Sequence, residues 1–357
     1  MKNISASDYT NVFEDSSYAF LREYLDKTVY SSLFIIVDEN TKNKCLPIFL
    51  AKLSTEIDFN ILTIPAGEAF KNLKTCQLVW QNLTEQKADR KSIVINIGGG
   101  MVTDLGAFVA ATFKRGLRFI NVSTSLLGMV DASVGGKTGV DFNGLKNQIG
   151  LFATPELVII DSKYLKTLAE RELKSGIAEI VKYGLSYDGN LWKQLKSKKT
   201  FSDDFIQQII YRSITIKNDI VTQDPKEENL RKILNFGHTI GHAVETLFLQ
   251  DKTKHILTHG EAIAIGMVCE TYISHKLYGF PKKELLLLKQ FTRKHYDTIK
   301  LDENDFNVIL DLMKHDKKNT NGFISFVLLE KIGHCKINCQ VKNELIIESL
   351  KYYLHKL

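Results

Sequence analysis

Ser92-Ile93-Val94-Ile95-Asn96-Ile97-Gly98-Gly99-Gly100-Met101-Val102-Thr103-Asp104 is a short branched apolar run that halts on three glycines and continues as a helical pattern. It reads as a buried strand, a tight turn and the opening of a helix. Similar apolar runs lie at 33–37, closed by Asp38-Glu39-Asn40, at 119–122, and at 157–160, closed by Asp161. Short runs of this kind with helical patterns between them are what parallel strands require when both faces are buried. The expectation is an open α/β sheet whose ligand chemistry lies at the carboxyl ends of its strands.

From about Tyr164 the texture changes. Amphipathic helical patterns run over 170–185, 205–221, 230–248 and 261–278, the last ending at Gly279-Phe280-Pro281, a helix stop. A short strand is expected at 323–329. The fold class is therefore α/β, with an N-terminal open α/β nucleotide-binding domain over 1–165 and a mainly α-helical domain over 166–357.

Bulk composition narrows the function. At 357 residues the chain exceeds the usual single core, so two domains are expected. Its 44% hydrophobic and 25% charged residues are those of a soluble globular protein. The net charge of +6, from 47 basic and 41 acidic residues, suits an anionic small substrate. No long basic run is present, so nucleic acid is not an expected partner. Cys45, Cys76, Cys269, Cys335 and Cys339 are odd in number and form no C-x-x-C pair, which argues against a disulfide framework and for a reducing compartment. The N-terminus has no apolar core of signal-peptide length, and no stretch reaches the ~18 to 20 apolar residues of a membrane span. A cytoplasmic protein with no membrane partner is expected.

Two segments carry nucleotide or anion chemistry. In Gly98 to Asp104 the glycines let backbone amides approach a pyrophosphate, and the helix N-terminus adds partial positive charge. A strand-to-helix turn also needs glycine for its own sake, so both readings stay open here. Asp38, at a strand end, suits ribose hydroxyls or a helix N-cap equally. The second segment runs from Thr124 and Ser125 through Asp131 and Gly135-Gly136-Lys137-Thr138 to Gly144-Leu145-Lys146-Asn147. A phosphate-loop reading fails on spacing, because Asp131 stands where that motif needs its first glycine. Two lysines, an asparagine and several glycines around an aspartate still describe an anion site.

His238 and His242 fall at i and i+4 on one helix face, His259 opens a later helix, and Glu179 and Lys182 are i, i+3 on another. Three N/O ligands with an open position make a catalytic zinc-type site. An H-x-x-x-H pair alone is more often two capping or surface histidines.

Taken together, GGGMVTD, FKRGLRFINVSTSLLGMVDASVGGKTGV, GLKNQIG, LKTLAERELKSGIAEIVKYGL, LRKILNFGHTIGHAVE, HGEAIAIGM and HDKKNTNGFISFVLL resemble the dehydroquinate synthase family. That family is related to the iron-type alcohol and glycerol dehydrogenases. The motifs cover roughly 60–330 in order. The resemblance implies metal ligands Glu179, His238 and His259 around Zn²⁺ or Co²⁺, with His242 beside them as a phosphate contact and proton-handling residue. It implies NAD contacts at Asp38, Glu68, Lys71, Gly100, Met101, Val102, Thr103, Asp104, Thr124, Ser125, Tyr164, Leu165, Lys166 and Thr167. Lys137, Lys146 and Asn147 resemble the cradle around substrate phosphate and cofactor. Lys217, Arg231 and Asn235 resemble the group that holds the substrate carboxylate. Asp131 and Lys182 would touch ring hydroxyls, Glu227 would orient His242, and Lys317 would meet phosphate. Arg115 is similar to an arginine that reaches a neighbouring subunit's site, which implies a homodimer. The implied reaction converts 3-deoxy-arabino-heptulosonate 7-phosphate to 3-dehydroquinate and phosphate, early in aromatic amino-acid biosynthesis, with NAD recycled. Asn229 stands where the family commonly has glycine, so a left-handed turn tolerated by asparagine is expected there.

Overall fold

The computed structural model describes residues 2–6, 8–54, 56–198, 200–314 and 324–356. They form two compact units, 1–173 with 206–218, and 174–205 with 219–357. The expected domain boundary at 165/166 thus precedes the division at Leu173/Lys174, and the middle of the helix Asp203–Gln223 belongs to the first unit.

In the first unit the strands are β1 (Ile4–Ser5), β2 (Thr10–Phe13), β3 (Leu33–Asp38), β4 (Asn60–Ile64), β5 (Ile93–Gly98), β6 (Arg118–Ser123), β7 (Lys137–Phe142), β8 (Leu145–Phe152) and β9 (Leu157–Ile160). Among the described residues, seven of them make one sheet in the order β1-β2-β9-β6-β5-β3-β4, and every pair in it except β1 with β2 is parallel. From β3 the chain steps outward to β4, then returns to the other side of β3 for β5 and continues through β6 to β9. The order therefore reverses between β3 and β5, the place where open α/β sheets bind ligands. Asp38 closes β3 and the Gly98-Gly99-Gly100 turn closes β5. The two strands are buried almost throughout, as their unbroken apolar runs require.

β7 and β8 form an antiparallel hairpin where the sequence shows a glycine-rich polar segment. Phe142 pairs with Leu145 across Asn143 and Gly144, whose φ values of 51° and 75° make the two-residue turn favoured by a right-handed strand twist. Asn-Gly flanked by alternating residues was the signal for it.

The second unit is largely helical, with β10 (Phe326–Lys331) and β11 (His334–Cys339) as an antiparallel pair. The helices Glu170–Ser186 and His259–Tyr278 lie where the periodicity placed them. The expected helix over 230–248 is interrupted. A 3₁₀ turn, Leu230–Asn235, is followed by Gly237 at φ 81° and ψ −12°, and only then by the helix His238–Gln250. Packing explains the break. A Cβ on Gly237 would lie 2.5 Å from Met267 Cγ, and a Cβ on Gly266 would lie 1.9 Å from the Gly237 carbonyl oxygen. The helices His238–Gln250 and His259–Tyr278 meet backbone to backbone, which a continuous helix through 236 and 237 would prevent.

That contact is testable. Gly266→Ala should destabilise the protein by roughly 3 kcal/mol or more, since the added methyl group meets immobile backbone. Urea or thermal unfolding that matched the parent would remove the close-crossing account.

Candidate metal centre and nucleotide site

His238 is the first residue of its helix because the Gly237 turn sets the helix start there. His259 is the first residue of the next helix because Thr258 caps it. The Thr258 hydroxyl accepts from Glu261 N, and the Glu261 carboxylate accepts from Thr258 N at 2.8 Å. Glu179 and Lys182 sit one turn apart on Glu170–Ser186, with relative exposures of 0% and 1%.

These segments converge on one carboxylate oxygen. Glu179 Oε1 lies 3.4 Å from His238 Nε2 and 3.2 Å from His259 Nε2, while Lys182 Nζ pairs with Oε2. The other ring nitrogens are already committed. His238 Nδ1 faces the Phe236 carbonyl at 3.1 Å, and His259 Nδ1 faces Glu245 Oε2 at 3.1 Å. Both partners are acceptors, so each Nδ1 carries a proton and each Nε2 faces Glu179. Ligand atoms ~2.1 Å from a tetrahedral ion stand ~3.4 Å apart, close to the spacing of Glu179 Oε1 from each of the two Nε2 atoms. His242 also belongs to the cluster. The ligand nitrogens of His238, His242 and His259 lie within 4.8 Å of one another, and the His238 and His242 ring centroids are 5.1 Å apart.

Burial would raise the Glu179 carboxyl, but the Lys182 ammonium and the histidines hold it well below the usual carboxylate range. Burial pushes His238 down to about 4, with Lys182 adding to the effect. Burial also opposes charge on His259, yet Glu245 and Glu179 prevail and push it up to about 10.

In the first unit, five of the expected cofactor and phosphate residues form one ionic network. Lys71, buried, donates to Asp104 Oδ2 at 2.6 Å and to Asn147 Oδ1 at 2.7 Å, and Lys146 donates to Glu68 Oε1 at 2.5 Å. Asp141 joins them by accepting from Asn147 N at 2.7 Å. Burial works against the Lys71 ammonium, but Asp104, Glu68 and Asp141 keep its pKa above the ordinary lysine range. Beside this network the helix Gly100–Thr112 follows Gly99, which supplies no side-chain cap. A Cβ on Gly99 would lie 2.9 Å from Ser125 Oγ, so the turn is packed against the next strand's end. Val102 and Thr103 are buried, so only their backbone can serve a ligand, while Gly100, Met101 and Asp104 are half-buried. Thr124 N donates to the Gly98 carbonyl at 2.9 Å. Asp38 does act as an N-cap, accepting from Thr41 N at 2.7 Å. Tyr164 is buried with its hydroxyl 2.9 Å from that of Tyr18, and Leu165, Lys166 and Thr167 complete a 3₁₀ turn. Lys137 and Arg115 are exposed, Arg115 at φ 70°. Lys217, grouped with the first unit, donates to Asp131 Oδ1 at 2.5 Å and to its carbonyl at 2.6 Å; Asp131 lies on a π-helical turn, Gly128–Ala132.

Arg231, Asn235 and Glu227 belong to the second unit. Asn235 donates to Glu227 Oε1 at 2.6 Å, and Arg231, 2% exposed, donates to the Pro225 carbonyl at 2.6 Å. Asn229 does not take the left-handed turn expected of it. Its φ is −137°, and the positive φ, 62°, falls at Glu227. The cause is Asp224, whose carboxylate gathers the amides of Glu228, Asn229 and Arg231 at 3.0, 2.7 and 2.9 Å and so fixes the loop. Lys317 lies outside the described residues.

Sequence reasoning missed Asp224, Glu245 and Glu270. Glu245 stands two turns after His238 on the same helix, a signal that was available. Glu270 interrupts the apolar stretch Met267-Val268-Cys269 and Thr271-Tyr272-Ile273, which was another.

The family profile described as 3-dehydroquinate synthase N-terminal matches residues 61–175, and the corresponding C-terminal profile matches 176–319. A 3-dehydroquinate synthase of Parabacteroides distasonis is 43% identical over 93% of this chain and 94% of its own length. The chain belongs to the 3-dehydroquinate synthase family. A second member, from Rippkaea orientalis, is 41% identical over 84% of this chain and 83% of that protein. Among solved structures, 2-deoxy-scyllo-inosose synthase complexed with carbaglucose-6-phosphate, NAD⁺ and Co²⁺ has a TM-score of 0.85 at 23% identity, covering 98% of this chain and 99% of that one. NADH-dependent butanol dehydrogenase A of Thermotoga maritima has a TM-score of 0.68 at 15% identity, covering 99% of this chain and 98% of its own. These two share the fold of the dehydroquinate synthase family, as the motifs implied.

The Asp224 loop gives a pH prediction. Burial opposes the Asp224 charge, but the amides of Asn229, Arg231 and Glu228 outweigh it and hold the carboxyl below its usual value of 3.8. A depressed folded pKa contributes stability above the unfolded value and loses it as pH falls through the folded one. Asp224→Asn should therefore cost about 1–3 kcal/mol at neutral pH, with the gap to the parent narrowing below pH ~4. Urea unfolding at pH 7 and pH 3 measures this; a gap independent of pH would show that the carboxylate charge is irrelevant.

Proposed function

We propose that this chain converts 3-deoxy-D-arabino-heptulosonate 7-phosphate to 3-dehydroquinate and inorganic phosphate, with NAD recycled in each turnover and Zn²⁺ or Co²⁺ held by Glu179, His238 and His259. The observation that carries the reading is the pair of Nε2 atoms at 3.2 and 3.4 Å from Glu179 Oε1, each with its opposite ring nitrogen already committed. One carboxylate and two imidazoles suit a borderline divalent ion and leave positions open for substrate oxygens. Identity of 43% to a dehydroquinate synthase, against 23% to the inosose synthase, favours the carboxylated heptulosonate over other sugar phosphates.

When bound, NAD⁺ would supply reversible hydride removal at the substrate's C5, and the ion would supply Lewis-acid polarisation of the oxygens there. The chain's residues do the rest. Lys217, Arg231 and Asn235 would hold the carboxylate end, and Lys137, Lys146, Asn147, His242 and Lys317 the phosphate end, so that a flexible sugar is fixed in one pose. Asp131 and Lys182 would hold hydroxyls at the reacting carbons. His242, oriented by Glu227, would handle protons while the C6 proton departs and the C7–oxygen bond to phosphate breaks. Asp38, Glu68, Lys71, residues 100–104, Thr124, Ser125 and residues 164–167 would keep the cofactor bound through the cycle. By the family resemblance Arg115, which is exposed, would reach the neighbouring subunit's site in a homodimer. No helix of the described residues is long and apolar enough to cross a membrane, and all five cysteines are free thiols. The free thiols support a reducing compartment, here the cytoplasm.

With the heptulosonate phosphate and NAD⁺, purified protein should release inorganic phosphate with no net NADH, and a chelator should stop the release until Zn²⁺ or Co²⁺ is restored. Steady NADH accumulation would replace the cyclase with a dehydrogenase. His238→Ala should lower turnover by at least ~100-fold; an unchanged rate would remove that ligand. Lys217→Ala should raise KM for the sugar phosphate roughly tenfold or more while leaving NAD affinity near that of the parent. Equal losses for both would undo the carboxylate assignment.

A further inference from the structure

We infer that Glu245 and Glu270 are a crossed pair of positioning residues, each on one ligand-bearing helix and each fixing the ligand carried by the other. The inference rests on the metal reading above and adds the residues that hold its geometry. Glu245 lies on His238–Gln250 and binds His259 Nδ1 at 3.1 Å, on the neighbouring helix. Glu270 lies on His259–Tyr278 and accepts from Gly237 N at 2.6 Å, Thr239 N at 3.1 Å and Ile240 N at 3.2 Å, the first amides of the helix that begins at His238.

A helix N-terminus leaves amides without intrahelical acceptors, and its N-cap side chain ordinarily supplies one. The N-cap here is Gly237, which has no side chain to do so. Glu270 takes that place from another helix, and its negative charge meets the positive end of the helix dipole. Its relative exposure is 0% and that of Glu245 is 6%, so both contacts are made out of water, where geometry is held most firmly. His238 Nδ1 is bound to the Phe236 carbonyl, one residue before the segment that Glu270 clamps. Moving Glu270 therefore moves the peptide that aims His238 Nε2. Glu245 acts on His259 directly, holding the Nδ1–H tautomer and leaving Nε2 as the ligand atom. A simple helix cap would have no counterpart on the opposite helix. Here the exchange is reciprocal, and it spans the same close crossing at Gly237 and Gly266.

The test uses full-length chain freed of metal by chelation. Co²⁺ affinity is measured by competition with a chelator of known strength, and the visible absorption of bound Co²⁺ reports ligand geometry. Glu245→Gln and Glu270→Gln should each weaken Co²⁺ binding by about 10–100-fold. Glu270→Gln should also shift the absorption band, with NAD affinity staying within about twofold of the parent. Leu195→Ala, a core truncation in the same unit, should lower the unfolding midpoint while keeping parental affinity and band. If Glu270→Gln does not fold, Glu270→Asp, which keeps the charge and withdraws it by one methylene, gives the same readout. Parental affinity and spectrum in both glutamate variants would overturn the inference, and a loss in one alone would overturn the crossing. A parent chain that binds no Co²⁺ would overturn the metal reading as well.

Discussion

The Glu179 carboxylate has no exposure to solvent, and that one fact constrains most of the second unit. Moving such a group out of water costs several kcal/mol unless countercharge and hydrogen bonds replace the hydration. The compensation comes from Lys182 on its own helix and from His238 and His259 on two others. Each of those helices must start or turn where its side chain can reach one oxygen atom. Thr258 sets one start and Gly237 the other, while Gly260 lets its helix touch Glu170–Ser186, where a Cβ would lie 2.2 Å from the Ser175 carbonyl. The capping and glycine choices are thus consequences of burying one charge.

The first unit works by a different rule. Its sheet reverses strand order between β3 and β5, the position at which open α/β sheets bind ligands. The Gly98-Gly99-Gly100 turn and Asp38 lie there because they close those two strands. The buried Lys71 ammonium, held charged by Asp104, Glu68 and Asp141, links Asp104 of the Gly100–Thr112 helix to the β7–β8 hairpin through Asn147. A fixed cation among carboxylates keeps those loops in place, with the uncapped amides of the helix beside them.

Strand and helix identity was legible in the sequence wherever burial was uniform. The apolar runs of β3, β5, β6 and β9 and the periodicity of Glu170–Ser186 and His259–Tyr278 state their own environment. What was not legible depended on partners distant in the chain. The pattern over 230–248 is helical throughout, and only the contact with Gly266 shows why it breaks at Gly237. The family's glycine and asparagine's tolerance of positive φ both point to Asn229 as the left-handed residue, yet the three amides drawn to Asp224 put that conformation at Glu227. The histidines and Glu179 could be singled out from spacing and resemblance. Glu270 could not be tied to them, because nothing local says that its carboxylate closes another helix.

The same geometry explains how an H-x-x-x-H pair can serve a ligand set that is not symmetric in its two histidines. On a helix the two rings share a face, and His242 does stand beside His238 with centroids 5.1 Å apart. Among the contacts with Glu179, however, it is His238 and His259 that lie against Oε1. His238 sits at the helix start, where the backbone leaves the helix and the Phe236 carbonyl can fix the ring, whereas His242 sits a full turn inside. In the proposed set, one carboxylate on a divalent ion leaves a single net positive charge. Lys182 beside that carboxylate keeps the site cationic, which suits an anionic sugar whose hydroxyls must approach as oxygen ligands. A site built from three neutral imidazoles would hold more charge on the ion, but it would leave Glu179 buried with fewer partners. The burial of Glu179 therefore favours a centre in which that carboxylate is itself bound.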